Sequence, residues 1–439
     1  MKWLKHIMYS LLMLMLALPL VQRTIPFFEE TPLNGYFVSP RKPSVTMDSI
    51  FDGTFQDAYN NYYEHTIGFR PLLIRINNQL AFSVFDTALA NGVIIGKKNY
   101  LYEINYIKAY KGWDYQGDSA IESHARKAGF VYKELTQAGK TLLFVFAPGK
   151  ATFFPEYIPD KYMKRPSGKN TNYQEFIKMF DKYKLPYIDF NQWFVQMKDT
   201  ASYPLYPQCG IHWSAYGVAL ATDSLIRYIE YDRDIDMVDF GWNGFDLPDT
   251  LRKPDYDIAD GMNLLFTIPH YPMAYPRTTF SSYEGKIRPN AIVVADSYYW
   301  NIFGTGFSSR LFDDNNFWYY NKETYNPAWP ATRNTNELDM LSELIKADVI
   351  IIMATDANLY QFPYGFIERA YNTLSENRQQ GGSLWALSKM DTEIEQIMKS
   401  IDADPQWKAK VMEKALDRKI SYDEMLKLDA IWIWENKKN

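Results

Sequence analysis

Three stretches of the chain are apolar without interruption, too short to be helices of their own, and bounded by polar or turn-forming residues: "LLFVFA" (142–147), "AIVVA" (291–295) and "VIIIMA" (349–354). Runs of this kind suit strands buried on both faces, as in a sheet covered by helices above and below. A fourth and weaker one, "LPYIDF" (185–190), follows the same rule. Helical patterns lead into most of them: residues 119–139 precede the first strand, 172–183 precede "LPYIDF", and 336–346 precede the last. Only "NAIVVADS" follows a longer irregular stretch. Helices alternating with buried strands predict an α/β fold with a mainly parallel sheet. Ligands of such sheets bind beyond the carboxyl ends of the strands, so the loops after 147, 190, 295 and 355 are where a site is expected.

The remaining chain divides around that body. "MKWLKHIMYSLLMLMLALPLVQR" sets Lys2 and Lys5 before an apolar run from Ile7 to Val21, the order of an export signal. Residues 1–24 are read as a signal anchor or a signal peptide, which puts the folded part outside the inner membrane: anchored to it with a periplasmic body, or periplasmic or secreted if the segment is cleaved. Residues 25–48 hold four prolines in "TIPFFEETPLNGYFVSPRKPS" and no period, and read as an extended tether. The main domain is expected over 49–380. It opens with an amphipathic helix pair punctuated by Gly68 and Pro71, and continues with a hairpin in "GVIIGKKNYLYE". Residues 381–439 read as a helical extension packed on the body through Trp407, Trp432 and Trp434. Between 230 and 290 the pattern supports only loops and short elements.

Composition excludes some classes of function. In 439 residues, 47 basic and 52 acidic side chains give a net charge of −5, without the cationic excess that would draw nucleic acid. Cys209 is the sole cysteine, so neither an intramolecular disulfide nor a Cys-rich zinc site is available. No glycine-rich phosphate loop follows a strand and no carboxylate-rich calcium loop is present, so no cofactor and no metal are expected.

Chemistry is to be sought at Ser297, which follows Asp296 at the end of "AIVVA". A strand delivers a side chain into a crevice there, and Ser297 is a nucleophile if a base reaches it; otherwise Asp296-Ser297 is a helix cap or turn. Of five histidines, His212 in "YPQCGIHWSAYG" lies in a loop just before a helix, where it can act as that base or serve as a packing residue beside Trp213. Cys209, three residues earlier, is a weaker candidate nucleophile. Aromatic residues make up 17% of the chain and cluster in "SYYWNIF" and "NNFWYYNKETYNPAW". Most serve packing, and a few, Tyr298 among them, are candidates to stack on sugar.

An ordered set of segments carries a resemblance: "YYEHTIGFRPLLIRINNQL", "GVIIGKKNYLYEINYIKAYKG", "FAPGKATFFPEYIP", "GIHWSAYG" and "VADSYYW". The chain resembles the SGNH hydrolase-like alginate O-acetyltransferases of the AlgJ and AlgX group from about residue 50 to about 360. The resemblance implies a three-layer sandwich with a circularly permuted motif order, histidine before serine. It also implies a catalytic pair, the histidine of Asp-x-His-Trp and the serine of Gly-Asp-Ser, which fall on His212 and Ser297. Lys150 matches a lysine of the family's motif and is a candidate substrate contact. Two departures stand out: Gly210 occupies the place of the family's orienting aspartate, and Ala295 that of the glycine. Asp257 and Asp260 in "DYDIADGMNLL" are the candidates to replace the missing acid, and the N–H of Ser297 or Tyr298 is a candidate oxyanion donor. Two functions follow. One is a serine O-acetyltransferase or acetylesterase acting on a cell-envelope or extracellular polysaccharide, with a membrane-bound acyltransferase as donor partner. The other, favoured by Gly210, is an inactive glycan-binding or scaffolding protein of a polysaccharide export system.

Overall fold

The computed structural model describes residues 2–35 and 38–437. Met1, Tyr36, Phe37, Lys438 and Asn439, which fall in the anchor, tether and C-terminal extension expected from sequence, lie outside the described residues. Eleven strands form: β1 (Val93–Ile95), β2 (Leu101–Glu103), β3 (Thr141–Ala147), β4 (Tyr187–Asp189), β5 (Phe240–Asp246), β6 (Tyr275–Phe280), β7 (Ala291–Ala295), β8 (Asn315–Tyr319), β9 (Glu323–Tyr325), β10 (Arg333–Asn334) and β11 (Val349–Thr355). Seven of them make one sheet in the order β10-β9-β8-β7-β11-β3-β4. The five strands from β8 to β4 run parallel, while β9 and β10 add an antiparallel edge.

The uninterrupted apolar strands occupy the middle of this sheet, where every residue of β3, β7 and β11 is buried. Alternate side chains serve opposite layers, as the two-residue period of a strand requires. Leu143, Val145, Val293, Ile351 and Met353 pack with the helices Phe190–Met197 and Ala215–Arg233. Leu142, Phe144, Phe146, Ile292, Val294, Ile350 and Ile352 pack on the other face with Asp118–Gln137, Asn172–Tyr183, Met340–Lys346 and Phe366–Gln379. Each fully buried Val, Leu, Ile or Phe contributes about 1.5–3 kcal/mol, so the sheet centre dominates the stability of the fold. Helix Asp118–Gln137 shows how the pattern works: Ile121, Ala125, Ala128, Val131 and Leu135, at spacings of three and four, are its buried stripe. The result is the expected α/β three-layer sandwich.

Several local expectations need correction. β4 is only half-buried because it is the sheet's edge strand, so "LPYIDF" is not a strand covered on both faces. The aromatic stretch 315–325 forms β8, a turn and β9, with Phe317 and Trp318 buried on opposite faces of the sheet. Within 230–290, β5 and β6 pair as an antiparallel ribbon; β5 has no fully buried face, which is why no period announces it. The C-terminal helices Leu384–Ala403, Pro405–Arg418 and Tyr422–Lys437 close a small core of their own around Ile394, Ile401, Val411 and Met425. Of the three tryptophans, Trp407 and Trp432 are exposed, and Trp434 donates to Glu393 within the extension. Leu384 is the residue of this segment that joins the main core.

Candidate active site

The carboxyl ends of β7 and β11 lie side by side, with Ala295 paired to Met353. Asp296, the next residue after β7, is fully buried and works as a clamp. Its carboxylate accepts from the Tyr298 N–H (3.0 Å), the Thr355 N–H (2.8 Å), the Thr355 hydroxyl (3.0 Å) and the Asn358 amide (2.8 Å). The turn carrying Ser297 is thereby fixed to the end of β11. This bonding also uses the Tyr298 N–H, which is therefore not an oxyanion donor.

The loop 206–213 brings His212 over that turn. Ser214 ends the loop as N-cap of helix Ala215–Arg233, accepting from the Gly217 N–H at 3.0 Å. Trp213 is buried, and its indole N–H reaches Asn301 just beyond Ser297 (3.1 Å). His212 Nε2 lies 3.1 Å from Ser297 Oγ, and Nδ1 lies 2.6 Å from Asp257 Oδ2. A carboxylate only accepts, so Nδ1 carries the proton and Nε2 presents its lone pair to the serine hydroxyl. The other oxygen of Asp257 accepts the N–H groups of Ile211 (2.9 Å) and Ile258 (2.7 Å), which fixes the acid as firmly as the base.

Of the two acids proposed from sequence, Asp257 is the one in hydrogen-bond contact with His212. Asp260 sits one turn further along the short helix Asp257–Met262, and its backbone carbonyl is held by Asn34. Gly210 has a positive reason to be glycine. A Cβ at that position would lie 2.6 Å from the Pro254 carbonyl oxygen and 2.8 Å from the Asp255 backbone, so the segment bearing Asp257 occupies the space a side chain would need.

Residues 93–239 match the family described as the SGNH hydrolase-like domain of acetyltransferase AlgX. The match spans about a third of the chain. It contains His212 and Lys150 and ends before Asp257 and Ser297. Solved structures similar to the chain include the O-acetyltransferase domain of Pseudomonas putida AlgJ, at 17% identity and TM-score 0.40 over 64% of this chain and 99% of that one. Pseudomonas aeruginosa AlgX is similar at 12% identity and TM-score 0.33, over 60% of this chain and 55% of its own. Bacillus cereus PatB1 is similar at 14% and 0.33, over 55% and 91%. Among curated protein sequences none matches.

Two residues do not have the substrate-contacting place expected of them. Lys150 is fully buried, and its Nζ donates to the carbonyls of Gln208 (2.9 Å) and Gly210. Burial pushes its ammonium down from 10.5 to about 7. Tyr298 is equally buried; its hydroxyl donates to the Ile211 carbonyl and lies 2.7 Å from that of Tyr206. Both hold the histidine loop from below, Lys150 by the carbonyls of 208 and 210 and Tyr298 by that of 211. Their polar ends turn inward because a loop lying against the sheet has carbonyls to satisfy. Cys209 is a buried core residue, and burial pushes its thiol up to about 11, far from the thiolate a nucleophile requires.

The open side of Ser297 and His212 faces a cavity of about 210 Å³. Its walls add Glu103 and Asn105 from the end of the β1–β2 hairpin, Tyr320 from the β8–β9 turn, and Asn358 after β11. The sequence reading did not single out these four. Asn358 was within reach, since it follows a buried strand on the side where sites form; Glu103 and Asn105 come from a hairpin outside the sheet and carry no such signal. Burial raises the Glu103 carboxyl above its usual range, and the neighbouring charge of Asp257 adds to the effect. Among the described residues no group of three or more His, Cys, Asp or Glu is placed to hold a metal ion.

Proposed function

We propose that the chain is an exported serine O-acyltransferase that moves acetyl groups on a cell-envelope or extracellular polysaccharide. The observation that carries this reading is the unbroken relay Asp257–His212–Ser297, at 2.6 and 3.1 Å, opening on a cavity. In the first half-reaction Ser297 Oγ attacks the donor's acyl carbonyl while His212 Nε2 takes the hydroxyl proton. The tetrahedral intermediate collapses, the leaving group departs with that proton, and the acyl group stays on Ser297. In the second half a sugar hydroxyl gives its proton to His212, attacks the acyl carbon, and leaves as the ester while Ser297 is reprotonated. Asp257 keeps the proton on Nδ1 and balances the imidazolium in both halves. The groups beside Ser297 that can donate to the oxyanion are its own N–H and the side-chain amide of Asn105, which lines the same cavity.

The match of residues 93–239 to an acetyltransferase family supports acetyl as the group moved and transfer over hydrolysis. The inactive, binding-only reading rested on Gly210 in place of an acid; the 2.6 Å contact of Asp257 with His212 Nδ1 supports the active reading instead. Helix Lys2–Thr24 is long and apolar enough to cross a membrane, which supports an anchor with the body outside and a membrane-bound acyl donor as partner. The test is turnover of a chromogenic acetyl ester, followed by intact-mass detection of an acetyl adduct and its transfer to added polysaccharide. Wild type is expected to form the adduct and Ser297→Ala to form none; equal turnover by both refutes the mechanism.

A further inference from the structure

Exposed apolar surface is concentrated in one part of the molecule. Among the described residues, fifteen large apolar side chains are exposed between Ile25 and Leu89, against eight in the whole of 93–380. The helix Arg70–Phe85 has no buried residue, and its exposed side carries Leu73 (51%), Ile76 (46%), Leu80 (54%) and Val84 (62%). Spacings of three, four and four put these on one stripe. The opposite side faces the body: Asn78 donates to the Met262 carbonyl at 2.7 Å and Phe82 packs on the core. Next to the stripe, Gln79 accepts from the N–H of Phe266, which is itself exposed.

This helix is joined at its start to the end of the apolar N-terminal helix. A Cβ on Gly68 would lie 2.5 Å from the Pro19 carbonyl oxygen and 2.9 Å from the Arg23 nitrogen, so the two backbones touch. Gln22, almost wholly buried, bonds the backbone of Phe27 and Phe28, and Glu30 accepts from the Phe69 N–H. Arg75 donates to the carbonyls of Thr31 and Pro32. At this junction Phe27 and Phe28 meet Phe69, while the Arg23 guanidinium lies over Tyr62 and Tyr63. Aromatic rings and an arginine at the end of an apolar helix of 22 residues, about 33 Å long, are the arrangement of a membrane–water boundary. Helix Arg70–Phe85 leaves that boundary without any carboxylate of its own, which suits a lipid interface.

We propose that Arg70–Phe85 lies in the lipid interface, with Leu73, Ile76, Leu80 and Val84 inserted, as a second membrane contact beside the N-terminal span. The inference rests on reading Lys2–Thr24 as a retained membrane helix. One consequence concerns the site. Helix Asp257–Met262, which bears the acid, is gripped from this side by Asn78 and by Asn34, whose N–H donates to Asn263 at 2.7 Å. The membrane-facing layer thus holds the triad's acid, and an acyl group delivered from the bilayer meets the site close to the surface.

The experiment places spin labels on the full chain in nanodiscs of phosphatidylcholine and phosphatidylglycerol, one at a time, through Ile76→Cys, Leu80→Cys, Leu12→Cys and the body control Tyr231→Cys. Native Cys209 is buried and stays unlabelled. At Ile76 and Leu80 the label is expected to be more accessible to oxygen than to a nickel chelate, with the reverse at Tyr231. Nickel access at Ile76 and Leu80 with Leu12 in lipid overturns the interfacial contact and leaves the anchor standing. Shielding of Ile76 and Leu80 from both reagents overturns it in favour of a protein cover. Leu12 in water, or absent from the mature chain, overturns the anchor and the proposal together.

Discussion

Replacing Asp257 by Asn removes a charge and leaves the shape. The carbonyl oxygen of the amide can still accept from Ile211 and Ile258, as Oδ1 of the acid does at 2.9 and 2.7 Å, so the loop has no reason to move. What changes is the ring: an amide N–H facing Nδ1 at 2.6 Å drives the imidazole proton to Nε2, and the base then points a donor at Ser297. With a fully buried acid such a change lowers kcat by about 10⁴. Here the histidine and aspartate side chains are 16% and 26% exposed, so water takes over part of the acid's role. A fall of about 10²–10³, or about 3–4 kcal/mol at 1.4 kcal/mol per decade, is the expected size. The assay is acetyl-ester turnover by Asp257→Asn beside Asp260→Asn, with KM and melting temperature measured on both. Asp257→Asn is expected to lose kcat while keeping KM and stability, and Asp260→Asn to keep all three. Wild-type kcat in Asp257→Asn would refute the assignment of the acid.

Other expectations follow from the same contacts. Gly210→Ala sets a Cβ 2.6 Å from the Pro254 oxygen, and overpacking of that kind costs about 1–3 kcal/mol. Because the displaced segment carries Asp257, kcat should fall by more than the melting temperature accounts for. Asp296→Ala leaves the Thr355 and Tyr298 N–H groups and the Asn358 amide without their buried acceptor, and a loss of about 3–5 kcal/mol is expected in urea unfolding. Lys150 titrates near 7 when folded against 10.5 for the free side chain, so the unfolded chain binds more protons between those values and the wild type gains stability as pH rises through that window. The stability of wild type relative to Lys150→Met should therefore increase from pH 7.5 to 9.5; a constant difference would show that the ammonium is not desolvated.

How much of this was legible in sequence can be judged from single residues. Ser297 stands at the end of an unbroken apolar strand, and His212 before a capped helix, so each announces itself locally. Their meeting across 85 positions does not. The acid was narrowed to Asp257 and Asp260 but not chosen, since the two share one turn of helix and only the packing at Gly210 decides which reaches the ring. Lys150 and Tyr298 were misjudged for a common reason: a polar residue after a strand looks solvent-facing in sequence, whereas here both turn inward to satisfy the carbonyls of the histidine loop.

Continuous apolar runs alternating with helical patterns pointed by themselves to a mainly parallel sheet with helices on both faces, because strands buried on both sides need cover above and below. The order of residues also determined where chemistry had to be sought, at the strands' carboxyl ends. Only the tertiary structure decided which acid lies against His212 and which polar side chains hold its loop, because those outcomes depend on space: a missing Cβ at 210 lets a distant segment approach, and buried carbonyls draw a lysine and a tyrosine away from solvent.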